Sequence, residues 1–205
     1  MIEDQSRSGA KRRAILEAAT NLFLSQGYDG TSMDQVAAQA GVSKQTVYKH
    51  FADKDRLFAE IVLAVAGSAD AFVDTVGRTL ERTSNVERDL RKLARAYVRA
   101  VMQARVIQLR RLVIGEAARF PGLGREYYGR GPERVLAGLA SCFEQLTKRG
   151  LLRAPDALLA AQHYAFLILS IPLDRALMCG EELSAAELDR LADAGTRVFL
   201  AAYGA

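Results

Sequence analysis

Residues 43–50 read Ser-Lys-Gln-Thr-Val-Tyr-Lys-His, a dense run of hydrogen-bonding side chains interrupted by one valine. These types suit the edges of DNA bases. The Lys44 ammonium can donate to guanine acceptors, the Gln45 amide can pair bidentately with adenine, and the Thr46 methyl can lie against the thymine methyl. Thr31, Ser32, Tyr48, Lys49, His50 and Lys54 supply hydroxyls and cations of the kind that hold phosphate oxygens, and Ser43 opens the run with a hydroxyl at a helix start. His50 has a second reading, as a ring packed against the helix that follows. Upstream, Arg7, Lys11, Arg12 and Arg13 form a basic arm that can add phosphate or minor-groove contacts, although Arg12 and Arg13 can equally be solvated.

Catalytic and metal chemistry finds little to work with. The chain has two histidines, His50 and His163, and two cysteines, Cys142 and Cys179. No HExxH or CxxC spacing exists, and Gly122-Leu-Gly124 lacks both the third glycine and the preceding strand of a dinucleotide loop. No metal site, cofactor or catalytic set is expected, and an enzyme would need a carboxylate pair that the sequence does not display.

Half of the 205 residues are hydrophobic and a quarter charged, the balance of a folded globular chain. The net charge of +4 does not locate a nucleic-acid surface: residues 1–66 hold eight Lys/Arg and eight Asp/Glu, and the excess lies in residues 67–205. The acidic start, Met-Ile-Glu-Asp, is unlike a secretory leader, and two cysteines are too few for a disulfide framework. The most apolar stretch, Leu158–Leu173, carries Gln162, His163 and Pro172 and falls short of the roughly 20 residues of a membrane span. The expectation is a cytoplasmic protein in a reducing compartment, with that stretch as a buried helix and no membrane partner.

The elements that must position residues 43–50 are helical, because apolar residues recur at three- and four-residue spacing and hardly alternate. Ile15, Ala18, Ala19, Leu22 and Phe23 form one stripe, closed by Gly27, which predicts a first helix over 10–26. Ser32-Met-Asp-Gln35 has the spacing of a capping box, which starts a short second helix ending at Gly41. Ser43 caps a third, with Val47 and Phe51 facing inward and Lys44, Gln45, Thr46, Tyr48 and Lys49 left outside. Asp53 caps a fourth, striped by Leu57, Phe58, Ile61, Val62 and Val65 and reaching toward Val76. Further helices are expected over 86–103, 105–118, 133–149, 156–179 and 185–203, with Pro132 and Pro155 in first turns and Pro172 interrupting a helix.

Two short helices joined by a tight glycine turn, apolar behind and polar in front, are what reading a major groove requires. The string Gly-Tyr-Asp-Gly-Thr-Ser-Met-Asp-Gln-Val-Ala-Ala-Gln-Ala-Gly-Val-Ser-Lys-Gln-Thr-Val-Tyr-Lys-His-Phe, followed by Asp-Lys-Asp-Arg-Leu-Phe, resembles the tetracycline-repressor (TetR) family over residues 10–60. Residues 110–180, with Arg-Arg-Leu-Val-Ile-Gly-Glu-Ala-Ala-Arg-Phe-Pro and Tyr-Tyr-Gly-Arg-Gly-Pro-Glu-Arg-Val, are similar to the effector domains of its AefR- or AcrR-like branch.

The resemblance implies an all-α fold of about nine to ten helices. A three-helix helix-turn-helix DNA-binding domain would occupy residues 1–56, and a helical ligand-binding and dimerisation domain residues 57–205. It implies that Lys44, Gln45 and Thr46 face bases and that Tyr48 reaches bases or backbone. It implies a repressor that binds a palindromic double-stranded operator as a homodimer and is released by a small hydrophobic effector. Dimerisation would use the last two long helices, where Leu158, Leu159, Phe166, Leu169, Leu188, Leu191, Val198 and Phe199 offer apolar surface and Gly195 allows close approach; the same residues can instead close the monomer core. Effector lining would come from Phe72, Tyr97, Val101, Met102, Leu109, Val113, Tyr127, Phe143 and Tyr164, with Arg105, Glu116 and His163 as polar candidates. Most of these equally fit plain core, a surface ion pair or a satisfied interior histidine. The competing reading is a helical small-molecule carrier that never touches DNA.

Overall fold

The computed structural model describes the backbone of residues 2–205 and side chains from Arg7 onward; the acidic start, Glu3 and Asp4, lies outside the described side chains. Among the described residues the chain is all-α. The helices are α1 (Ile2–Gly30), α2 (Met33–Ala40), α3 (Lys44–His50), α4 (Lys54–Ala66), α5 (Ser68–Glu81), α6 (Val86–Val101), α7 (Ala104–Gly115), α8 (Pro121–Tyr128), α9 (Arg134–Lys148), α10 (Ala157–Asp174) and α11 (Ala185–Tyr203). Single π-helical turns occupy Gly129–Glu133 and Arg175–Cys179.

Several boundaries differ from the sequence expectation for local reasons. The fourth helix stops at Ala66 instead of running toward Val76, because Gly67 interrupts it before α5 begins. Pro132 does not open a helix. It sits in the π-helical turn that carries α8 into α9, where a widened turn accommodates the missing N–H. Pro155 precedes the cap of α10, Asp156, whose carboxylate accepts from the Leu159 N–H at 2.9 Å. Pro172 lies inside α10, and the backbone relaxes into the second π-helical turn just beyond it.

The chain forms two compact units. One holds residues up to Val65 together with Gln108–Tyr127, and the other holds Ala66–Ile107 and Tyr128–Ala205. A division at residue 56 therefore does not describe these units: α4 and the segment 108–127 join the N-terminal helices. The cause is apolar packing that sequence distance hides. Leu57, Phe58, Ile61 and Val62 of α4 are buried, and the Phe120 ring meets Tyr28 edge-on at 5.1 Å and Phe58 at 5.9 Å.

The second unit is organised around α6, α9, α10 and α11. Phe143, Tyr164 and Phe199 are fully buried and interlock with ring centroids 5.0–5.5 Å apart, each burial contributing roughly 1.5–3 kcal/mol. The Tyr164 hydroxyl is satisfied by donating to the Leu90 carbonyl at 2.6 Å. Gly195 lets α11 cross α10 closely, since a Cβ there would stand 2.7 Å from the Leu167 carbonyl oxygen. That glycine serves a crossing inside one chain. Arg95 and Arg99 of α6 each grip a carboxylate of α11, Asp193 and Asp189, through two guanidinium nitrogens.

The expectation of a wholly buried apolar helix needs correction. Ala157–Cys179 is long and apolar enough to span a membrane by length and composition, with mean hydropathy 1.3. Ala160, Ala161, Tyr164 and Ile168 pack into the core, whereas Leu159, Phe166, Leu167 and Ile171 are exposed.

Candidate nucleic-acid interface

The first unit builds its reading head from local signals. α1 bends at Gly27 (φ 75°) after burying Ile15, Ala18, Ala19, Leu22 and Phe23. Ser32 then caps α2 reciprocally: the Gln35 N–H donates to Ser32 Oγ at 3.2 Å, and the Ser32 N–H donates to Gln35 Oε1 at 2.8 Å. Met33, Val36 and Ala37 turn inward. Gly41 ends α2 in the left-handed region (φ 65°), which glycine enters without a Cβ clash, and its N–H reaches back to the carbonyls of Ala37 and Ala38.

Two residues later Ser43 caps α3, accepting from the Thr46 N–H at 3.2 Å. Val47 is fully buried and Phe51 nearly so, and this fixes the rotation of α3. Lys44, Gln45 and Lys49 are consequently exposed, and Tyr48 is 44% exposed. Lys44 Nζ lies 2.8 Å from Asp34 Oδ1, and that charged hydrogen bond holds the ammonium above its usual value. Thr46 is half-buried, with its hydroxyl 2.8 Å from Ser43 Oγ.

Other expected contact residues have structural work. Thr31 is buried, and its hydroxyl donates to the Gly27 carbonyl at 2.8 Å, so it is not placed to reach a phosphate. Lys54 turns its ammonium onto the carbonyls of Tyr28 (2.8 Å) and Thr31 (2.9 Å), and over the Tyr28 ring at 4.2 Å. It ties the start of α4 to the turn before α2. His50 is half-buried with its ring tilted 6.4 Å from that of Phe51. In the basic arm, Arg12 pairs with Glu60 and lies 5.2 Å from the Phe51 ring centroid, whereas Arg7, Lys11 and Arg13 are exposed.

The expected lining residues are divided between the two units. Leu109, Val113 and Tyr127 are buried in the first unit, with Glu116 half-buried there. In the second unit Phe143 and Tyr164 belong to the closed aromatic core. Phe72 stacks on Tyr97 at 5.1 Å, with Val101 and Met102 half-buried nearby in the same core. Arg105 is exposed. His163 is exposed too, not interior, and its Nδ1 lies 2.7 Å from the Tyr203 hydroxyl beside a shallow groove walled by Phe166, Leu167 and Val198.

Sequence reasoning missed the residues that hold the head from behind. Arg119 Nη1 donates to Asp29 Oδ1 at 2.6 Å, and Tyr28 donates to Asp55. The segment Phe120-Pro-Gly122 reads only as chain punctuation, although Phe120 is part of the aromatic cluster.

A rigid apolar back carrying two short capped helices, the second with an exposed hydrogen-bonding front, is the architecture of a helix-turn-helix DNA-binding protein. Residues 15–61 match the family of bacterial regulatory proteins called the tetR family, and residues 88–205 match the AefR-like transcriptional repressor C-terminal domain. A TetR-family transcriptional regulator from Mesorhizobium loti MAFF303099 is similar at TM-score 0.90 and 46% identity, covering 97% of this chain and 99% of that one. The flavonoid-responsive regulator FrrA is similar at TM-score 0.73 and 30% identity, covering 96% and 98%. The transcriptional activator FasR of Mycolicibacterium smegmatis is 32% identical over 42% of this chain, and the match spans only 38% of that relative's length. The chain belongs to the TetR family of transcriptional regulators, a family of DNA-binding regulators and not of enzymes.

Proposed function

We propose that the chain is a dimeric cytoplasmic repressor that sets α3 into successive major grooves of a palindromic operator and leaves it when a small hydrophobic effector binds. The observation that carries the DNA-binding half is α3 itself: Lys44, Gln45 and Tyr48 project from a helix whose rotation is fixed by a fully buried Val47. Lys49, Ser32 and Ser43 flank them as phosphate contacts, alongside Arg7, Lys11 and Arg13 of the arm. One short helix covers too little DNA for specific binding, so two copies are required.

The pairing surface is the outer face of α10 and α11. Leu158, Leu159, Phe166 and Val198 are exposed there, joined by Leu167 and Ile171, whereas Leu188 and Phe199 are spent inside the monomer. The description of the matching C-terminal domain, an AefR-like repressor domain over residues 88–205, favours repression over activation. An apolar effector would enter the second unit, where Phe72, Val101 and Met102 are only partly buried against the core and Tyr97 stacks on Phe72. A flavonoid is the first aromatic probe to try, given the responsiveness of FrrA. Release requires that the effector bind the DNA-free arrangement better than the DNA-bound one.

The test is selection from a random duplex pool by the full chain, followed by footprinting. The expected outcome is protection of an inverted repeat by a dimer, with log affinity falling against log salt at about 0.9 per phosphate neutralised, and loss of protection with Tyr48→Ala. Absence of any selected site from a folded protein would overturn the reading in favour of a ligand carrier.

A further inference from the structure

The chain leaves the second unit after Ile107 and returns to it at Tyr128, so the segment 108–127 is an excursion into the DNA-binding unit tethered at both ends to the other. Besides the buried Leu109, Val113 and Tyr127, two adjacent residues, Arg119 and Phe120, meet the stretch around Tyr28 directly. Arg119 donates to Asp29 Oδ1 at 2.6 Å while its guanidinium lies 4.7 Å from the Tyr28 ring centroid. Phe120 meets Tyr28 edge-on at 5.1 Å and Phe58 at 5.9 Å. The Tyr28 ring also lies beside Phe23, at 5.9 Å, and beneath Lys54 Nζ, at 4.2 Å. Its hydroxyl donates to Asp55, and burial together with that hydrogen bond pushes the phenol well above its ordinary value, so it remains a neutral donor.

Tyr28 and Asp29 stand between the bend of α1 at Gly27 and Ser32, the cap of α2. The carbonyls of Tyr28 and Thr31 share the Lys54 ammonium, so this stretch is held as one piece. Moving Tyr28 moves the cap of α2, and α3 follows through the tight turn at Gly41.

We propose that Arg119 and Phe120 are positioning residues for DNA binding: they clamp the Tyr28–Ser32 stretch that launches the helix-turn-helix, so that operator affinity depends on where the segment 108–127 sits. This rests on the operator-binding reading above. The rival explanation is that the half-exposed Arg119 touches phosphate itself, and the two explanations part company in salt and at Asp29.

The experiment uses the full-length protein and the duplex obtained by selection, measuring Kd and its salt slope for wild type, Arg119→Ala, Asp29→Asn and the double variant, with thermal unfolding as a check on the fold. The expected result is about ten-fold weaker binding for Arg119→Ala and a smaller weakening for Asp29→Asn, with an unchanged salt slope. The double variant should be no weaker than Arg119→Ala alone, because both changes open one clamp. Asp29→Asn is the decisive arm. It removes a negative charge near DNA and by simple electrostatics would tighten binding, so weakening is a result that only positioning produces; and at 79% side-chain exposure the carboxylate can be changed without endangering the fold. Unchanged or tighter binding by Asp29→Asn overturns the proposal. So does a salt slope shallower by about 0.9 in Arg119→Ala, which marks a direct phosphate contact. Failure of the wild type to select any duplex removes the operator-binding reading and this proposal with it, whereas normal binding by every variant removes the proposal alone.

Discussion

Two helix faces in this molecule stand open, and their chemistry is opposite. α3 is locked by a fully buried Val47 and turns Lys44, Gln45 and Lys49 outward, whereas α10 is locked by fully buried Tyr164 and Ile168 and turns out Phe166 (68% exposed) and Ile171 (58% exposed). The device that fixes each rotation is the same, a buried residue with the opposite face left free. What differs is the penalty of covering that face. Charged and amide groups lose hydration unless the partner returns hydrogen bonds, which base edges and phosphates do. Bare aromatic and aliphatic surface gains wherever water is excluded, which a second apolar face does. Two open faces of opposite character on one chain thus point to two partners of different kinds.

The largest effect should come from Phe166→Asp. In a dimer joined through α10 and α11 it would place a carboxylate in a desolvated apolar contact, costing about 3–5 kcal/mol. Sedimentation should show a monomer, and operator affinity should fall by about a hundred-fold or more because each half-site is then bound alone. A dimer that survives this change would mean that the apolar face of α10 has some other partner. Next in size are Lys44→Ala and Tyr48→Ala, each expected to weaken operator binding about ten-fold with dimerisation untouched. Equal loss on random DNA would reassign either residue from base reading to phosphate holding.

What the sequence displayed and what it hid follow from the range of the interactions involved. Ser32, Gln35, Gly41 and Ser43 act within four residues of themselves, and their caps and turn lie where the spacing predicts. Arg119 and Asp29 are 90 residues apart, and nothing in an arginine's neighbours announces which distant carboxylate it will meet. Thr31 and Lys54 show the same limit from the other side. A hydroxyl and an ammonium beside a polar helix suit phosphate by type, but backbone carbonyls exposed by the bend at Gly27 were nearer claimants. In α10 the difficulty was phase: apolar residues surround most of the helix, so no polar stripe told which side His163 would occupy, and it emerged at the surface. Phe143 and Tyr164 were eligible for a pocket or a core on residue type alone, and their full burial and edge-to-face contact assign them to the core.

A pair of aspartates extends the contrast between buried and open surfaces to electrostatics. Asp89 is buried in the second unit, where Arg88 holds both of its oxygens and the Thr83 hydroxyl donates at 2.7 Å. The Arg88 hydrogen bonds, followed by that from Thr83, lower its titration below the ordinary aspartate range. A carboxylate depressed in the folded state stabilises the fold above its unfolded value of about 4, and that contribution is lost as pH falls through the folded value. Replacing Asp89 with alanine should cost about 1–3 kcal/mol at neutral pH, because the buried Thr83 hydroxyl loses its acceptor. The deficit relative to wild type should shrink below pH 4 in urea melts, and a deficit that is flat in pH would mean the loss is packing rather than charge.

Asp34 is the exposed counterpart and should give the smallest effect, of opposite sign. Its pair with Lys44 leaves both side chains mostly in water, 65% and 60% exposed, where an ion pair contributes little to folding. Asp34→Asn should therefore leave the unfolding midpoint unchanged. At the operator the balance differs, because Asp34 presents a like charge toward phosphate and competes for the ammonium that is to donate to a base. Removing it should tighten binding about two- to three-fold at low ionic strength, with the gain fading as salt screens it. Competitive titration of a labelled operator at two salt concentrations would measure this. A loss of affinity instead would mean that Asp34 pre-orients Lys44 for the groove, so that the polar front of α3, like the aromatic cluster behind it, is held in place before DNA arrives.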